Sequence, residues 1–255
     1  MRMSPWHTYC WLTALLAAAT FIVVQQGVVA WFLEHFSSPI TLSVSAAMLL
    51  VFATVFFAVG APAGKMLHRE YLALADIEDK LAAPNVDSRE VVRKILAESY
   101  NGPTVTRSTL RMLSKFLSYR SQSCRPVDKE LLIDLYEEKI MGPVSVIEHY
   151  RQLLFYLGLL GTVGGVIYAL AVGTIPQTAE EVRMFSFTTL EGLGVSYTST
   201  FFGMGGAVVL YLLVGRYERW VNEISWTLRV LLEEILIIVE REACEEVAAA
   251  EEVPK

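Results

Sequence analysis

LLFYLGLLGTVGGVIYALAVG (residues 153–173) and GLGVSYTSTFFGMGGAVVLYLLVG (residues 192–215) decide the fold. Neither holds a charge, and each exceeds the roughly 20 apolar residues that carry a helix across a bilayer core of about 30 Å. Two further uncharged blocks precede them, residues 11–33 and 40–60. A helix on a soluble core needs one apolar stripe, whereas these blocks are apolar all round. The chain therefore reads as an all-α integral membrane protein with four transmembrane helices. A composition of 54% hydrophobic and 19% charged residues fits that class once its distribution is seen.

The first block is read as an uncleaved span. Arg2 is its only early basic residue, and its apolar run is longer than the core of a signal peptide. Cys10, Cys124 and Cys244 are odd in number and far apart, so they make neither a disulfide framework nor a metal site. The net charge of −6 averages over two compartments and excludes little.

Basic residues set the expected topology. Residues 61–150 carry Lys and Arg throughout, from Lys65 to Lys139, and Arg216 and Arg219 follow the last span. The two short connections, residues 34–39 and 174–191, hold only Arg183. The positive-inside bias places the long loop and both termini in the cytoplasm. The organisation expected is an N-terminal hairpin (1–60), a cytoplasmic helical segment (61–150), a second hairpin (151–215), and a cytoplasmic helix with an acidic tail (216–255).

Trp6, Trp11, Trp31 and Phe36 stand near the ends of the first hairpin's spans, as interfacial aromatics do. Gln25 and Gln26, towards the outer end of the first span, read as solvated at the interface or bonded to a neighbouring helix. In the loop, Pro84-Asn85, Asn101-Gly102-Pro103 and Arg125-Pro126 separate short helical pieces. Asp87-Ser88-Arg89-Glu90 supplies a capping signal before Val91, Val92, Ile95 and Leu96, and Leu110, Leu113 and Leu117 form a stripe. From Val127 the helical pattern runs into the third span, with a kink expected at Pro143. After the fourth span, Trp220, Ile224, Leu228, Leu231, Ile235 and Ile238 continue a stripe at three- and four-residue spacing. This predicts a long exit helix that packs either between subunits or on the loop of its own chain.

No phosphate-binding glycine loop, metal cluster or nucleophile triad is visible, so neither an enzyme nor a cofactor is expected. The four histidines lie near membrane borders and read as solvated. Chemistry concentrates instead on the second hairpin. Gly158, Gly161, Thr162, Gly165 and Ala169 share one helical face, as do Ser196, Ser199, Thr200, Gly203, Gly206 and Ala207. Small residues at this spacing let helices approach closely in lipid, and hydroxyls can bond their own helix carbonyls. A purely structural four-helix scaffold explains both facts. A path for an ion explains them too.

LGLLGTVGGVI (residues 157–167) closely resembles the first pore helix of the TolQ and ExbB proteins. SYTSTFFGMGGA (residues 196–207) resembles the last span of the wider MotA/TolQ/ExbB family, where a Thr precedes a Gly by three residues. The resemblance covers about 65 residues. It implies a bacterial inner-membrane homopentamer around a dimer of a single-span protein of the MotB/TolR/ExbD kind, whose membrane Asp carries the ion. By position it makes Thr162 and Thr200 the pathway hydroxyls, with Ser199 and Ser196 beside them. The ion is H+ or Na+, with H+ favoured, and the complex converts its flow into mechanical work as a motor or stator. One charge crossing 100 mV releases about 2.3 kcal/mol, so work accumulates over many ions.

This chain departs from the family at one point. ExbB-type proteins place an acidic residue five positions before the second Thr, where Val195 stands here; Glu191, one turn further out, is the candidate substitute at the pore mouth. Because no carboxylate lies well inside a span, the titrating group has to come from a partner. Four spans with a long inner loop resemble the flagellar layout, while the third-span motif is closer to TolQ and ExbB, so the branch stays open. A small-molecule transporter fits less well, since no inverted repeat or broken-helix pair is visible.

Overall fold

The computed structural model describes residues 4–27, 39–83, 88–98, 103–123, 128–171 and 178–251. Among the described residues the structure is helical, without strands: α1 (Pro5–Gln25), α2 (Pro39–Ala53), a π-helical stretch (Thr54–Gly60), α3 (Ala61–Leu81), α4 (Ser88–Glu98), α5 (Val105–Ser123), α6 (Lys129–Ala171) and α7 (Ala179–Glu251). Four runs are long and apolar enough to cross a membrane: Pro5–Gln25, Pro39–Leu81, Lys129–Ala171 and Ala179–Arg241. An all-helical, membrane-embedded chain is what these lengths and compositions support.

The element boundaries differ from the sequence reading at the first, second and fourth spans. The first span is α1, which starts six residues earlier than expected and stops at Gln25. Gly27 then takes a left-handed φ of 70°, and its N–H donates to the Val24 carbonyl at 3.1 Å, a glycine stop of the kind that ends helices. Gln25 and Gln26 are exposed. Trp31, Phe36 and most of the expected 34–39 connection lie outside the described residues, as do Pro84-Asn85, Asp87, Asn101-Gly102 and Arg125-Pro126.

The helix of the second span does not stop at Gly60 but passes through the π turn into α3. Pro62 explains the local register: it has no N–H to give the carbonyl of Ala58. Bonds of the i→i+5 type move that carbonyl's donor one residue on, past the proline. Tyr9 of α1 donates its hydroxyl to the Phe56 carbonyl inside this turn at 3.2 Å, and the two rings stack with centroids 5.3 Å apart.

α6 is one continuous helix through Pro143, the position at which a kink is expected. At the fourth span, the stretch read as a loop up to residue 191 is helical from Ala179. Thr178 caps it: the Glu181 N–H donates to Thr178 Oγ1 at 3.2 Å, and the Thr178 N–H donates to Glu181 Oε2 at 3.2 Å. Thr178-x-x-Glu181 is a capping box, a signal that was present in the sequence and passed over there.

Packing divides the chain into two compact units. One comprises residues 7–63 and 143–216, the other residues 1–6, 64–142 and 217–255. In the second unit the loop pieces and the exit helix share a core of Leu67, Leu74, Val92, Ile95, Leu113, Ile133, Tyr136, Tyr217, Ile224, Leu228 and Ile235. The stripe residues Ile224, Leu228, Leu231 and Ile235 of the exit helix are buried within this chain. Lys129 to Glu233 (2.7 Å) and Arg229 to Glu130 (3.3 Å) tie α6 to α7 at the solvent edge of that unit.

The same unit contains a buried carboxylate that the sequence reading did not single out. Glu70 of α3 is 2% exposed and accepts from the Val105 N–H at 2.7 Å and the Thr106 N–H at 2.8 Å. Thr106 Oγ1 gives it a third bond at 2.7 Å, so the Tyr136 hydroxyl at 3.1 Å must be the donor to Thr106. Glu70 thus serves as a cap, from another helix, for the N-terminus of α5, where unpaired N–H groups and the helix dipole favour an anion. Burial pushes the Tyr136 phenol well above its ordinary range. His68, read as solvated, instead has its Nδ1 buried without a hydrogen-bond partner.

Candidate functional site

The site lies in the unit of residues 7–63 and 143–216, where α6 and α7 cross. Its frame is glycine. A methyl group on Gly203 would stand 2.5 Å from the Gly158 Cα, and one on Gly165 would stand 2.5 Å from the Gly192 carbonyl oxygen. Both obstacles are backbone, which cannot give way. Gly161 receives the Ser199 side chain directly. Gly158, Gly161, Gly165 and Gly203 therefore serve the packing expected of them, while Gly206 faces the Phe52 ring of α2 instead. Gly192 completes the row and was missed; it sits four residues before Ser196, on the same helical face.

Close backbones bring the two threonines into contact. Thr162 and Thr200 share a hydroxyl–hydroxyl hydrogen bond across the crossing. Each also reaches its own helix, Thr162 to the Gly158 carbonyl at 2.9 Å and Thr200 to the Ser196 carbonyl at 2.9 Å. A threonine hydroxyl has one proton to give. Two protons cannot serve three contacts, so whenever one hydroxyl donates to the other, one carbonyl lacks its hydroxyl donor. The pair can exchange which one, without any change of charge. Both side chains are half-buried, which leaves this flank accessible from one side.

Ser196 and Ser199 occupy a different position. Ser199 is fully buried, wedged against Gly161, and donates to the Ser196 carbonyl at 3.0 Å. Ser196 is buried where its backbone meets Gly165. They belong to the interior of the crossing, whereas the threonines lie on its flank. Three further buried hydroxyls were not anticipated. Thr198 donates to the Gly194 carbonyl at 2.9 Å, Ser45 of α2 donates to the Thr41 carbonyl at 2.8 Å, and Thr41 itself is buried. Only their periodicity with Met48, which approaches Gly161, could have revealed the α2 face.

Val195 is buried, so the position that carries an acid in ExbB-type proteins is an apolar packing position here. Glu191 stands one turn earlier on α7, half-buried. Among the described residues no group of three or more His, Cys, Asp or Glu could hold a metal ion. No protein-family model and no curated protein matches the chain. The likeness to the MotA/TolQ/ExbB family therefore rests on the residues of the two spans.

Proposed function

We propose that the chain is the channel-forming subunit of an ion-driven membrane motor, working with a single-span partner that carries a membrane Asp. The observation that carries this reading is the Thr162–Thr200 pair, two hydroxyls joined on the half-exposed flank of a helix crossing that holds no charge. A cation or proton in hydrocarbon needs polar partners, and a joined hydroxyl pair supplies them without a fixed charge. The described spans carry no carboxylate at this level, so the titrating group belongs to a partner helix lying against the same flank. Homopentameric assembly, a bacterial inner membrane, cytoplasmic termini and H+ as the ion complete the proposal, with the positive-inside distribution of Lys and Arg as the support for orientation.

A structural scaffold is the competing reading, favoured by the fact that Ser45, Thr162, Thr198, Ser199 and Thr200 each bond a carbonyl of their own helix. Co-expression with the single-span, Asp-bearing product of the neighbouring gene separates the two. The motor reading expects co-purification, several copies of this chain per complex, and proton flux in vesicles under an imposed pH gradient. A stable lone monomer that ignores such a partner would sink it.

A further inference from the structure

Three turns along the same flank lies a second α6–α7 pair that the proposed path has not used. Arg151 is 11 residues before Thr162 and Tyr211 is 11 residues after Thr200. Eleven residues bring a helix back to within about 20° of the same direction and displace it by roughly 16 Å. The register of two antiparallel helices thus repeats itself: hydroxyl meets hydroxyl at one level, and the Arg151 guanidinium lies 5.4 Å from the Tyr211 ring centroid at the other. Arg151 is the last charge before an uncharged run of residues 152–179, and Tyr211 precedes Arg216, the next charge on its own helix. This level is therefore where the apolar part of the flank ends on the Lys- and Arg-rich side.

Glu148 completes the arrangement. It takes both arms of the guanidinium, Nε at 2.7 Å and Nη2 closer still, in a two-pronged ion pair, and accepts Gln152 Nε2 at 3.2 Å. Arg151 holds its carboxyl below the usual carboxylate range. Between the two levels helical spacing puts Phe155 and Met204 on this flank, neither of which can exchange a proton. The first carboxylate of α6 or α7 in this direction from the threonines is Glu148, with the Tyr211 phenol beside its Arg151 partner.

We infer that Glu148, oriented by Arg151 on the Tyr211 ring, is the exit carboxylate of the path that begins at the Thr162–Thr200 pair. In that step a hydrated proton arriving along the flank gives up its proton to a Glu148 carboxylate oxygen. One O–H bond of the hydronium breaks and one forms on the carboxyl, and the carboxyl then releases the proton to cytoplasmic water. Arg151 is a positioning residue that keeps the carboxylate ionised between passages, and its charge disfavours a metal cation lingering at the mouth. The inference rests on the ion-conducting reading proposed above.

Its test uses the full chain co-expressed with the Asp-bearing single-span partner, in membrane vesicles carrying a pH-sensitive dye. Glu148→Gln is expected to lower proton flux by about a hundredfold, the scale of losing a positioned proton-transfer group. Glu148→Asp should restore much of that flux, which a merely structural role would not predict. Arg151→Gln should fall between the wild type and Glu148→Gln. Wild-type flux in Glu148→Gln, in an assay where Thr200→Val is blocked, overturns the exit role and leaves the conducting reading standing. No flux from the wild-type complex overturns both. Should Glu148→Gln fail to assemble, wild-type flux in Arg151→Gln overturns the exit role instead.

Discussion

At the scale of residues, the crossing of α6 and α7 separates two kinds of small side chain that look alike in the sequence. Glycines and serines fill the contact, and threonines stand at its edge. Thr200→Val keeps the shape and removes both hydrogen bonds of the hydroxyl. It is expected to abolish proton flux while the complex still co-purifies, and wild-type flux would remove Thr200 from the path. Glycines give a sharper contrast. Gly203→Ala puts a methyl against the Gly158 backbone and should destabilise the crossing by about 1–3 kcal/mol. Gly205→Ala meets nothing within 4 Å, and a mid-helix Gly→Ala change in open space is favourable by up to about 1 kcal/mol. Thermal unfolding of the two variants in detergent should move in opposite directions; equal shifts would contradict the packing described.

Among the elements, α5 owes its start to a residue 35 positions away in the chain. Glu70→Ala leaves the Val105 and Thr106 N–H groups without their acceptor in a buried place, at an expected loss of about 2 kcal/mol. Protection of the first turn of α5 in hydrogen exchange should fall before that of α3, and an unchanged exchange pattern would refute the capping role. This network also shows where sequence reading stops. A helix at residues 105–123 was legible from its leucine stripe and the Asn-Gly-Pro break. The carboxylate that caps it was not, because Glu70 sits in a run of charged residues that a one-dimensional reading assigns to solvent. The converse holds at α7, where Thr178-x-x-Glu181 marks the helix start by itself, well before the uncharged block begins. Apolarity marks where the membrane is, whereas caps mark where helices begin, and the two need not coincide.

For the whole molecule, the four apolar runs were legible because lipid demands both length and lack of charge, and few soluble segments meet both. The contact of Thr162 with Thr200 was legible only as two faces, since spacing places residues on a helix without saying which flank of a crossing they occupy. What the ion is depends on every polar group along the proposed path. The ion proposed is H+, which a hydroxyl pair and a partner's carboxylate can pass on without supplying a full coordination shell. Flux or motor output measured across sodium concentrations at fixed pH should be flat and should follow the pH gradient; a rise with sodium would reassign the ion.

The glycine row between α6 and α7 has a thermodynamic side. Glycines have no side-chain rotamers to lose when helices dock, so the contact forms with little ordering of side chains. It also offers few interlocking projections. The Ser199 side chain against Gly161 and the Ala169 methyl against Gly192 are the teeth in this contact. Sliding one helix past the other would have to lift both over the facing backbone, so they resist a change in the level at which the threonines meet.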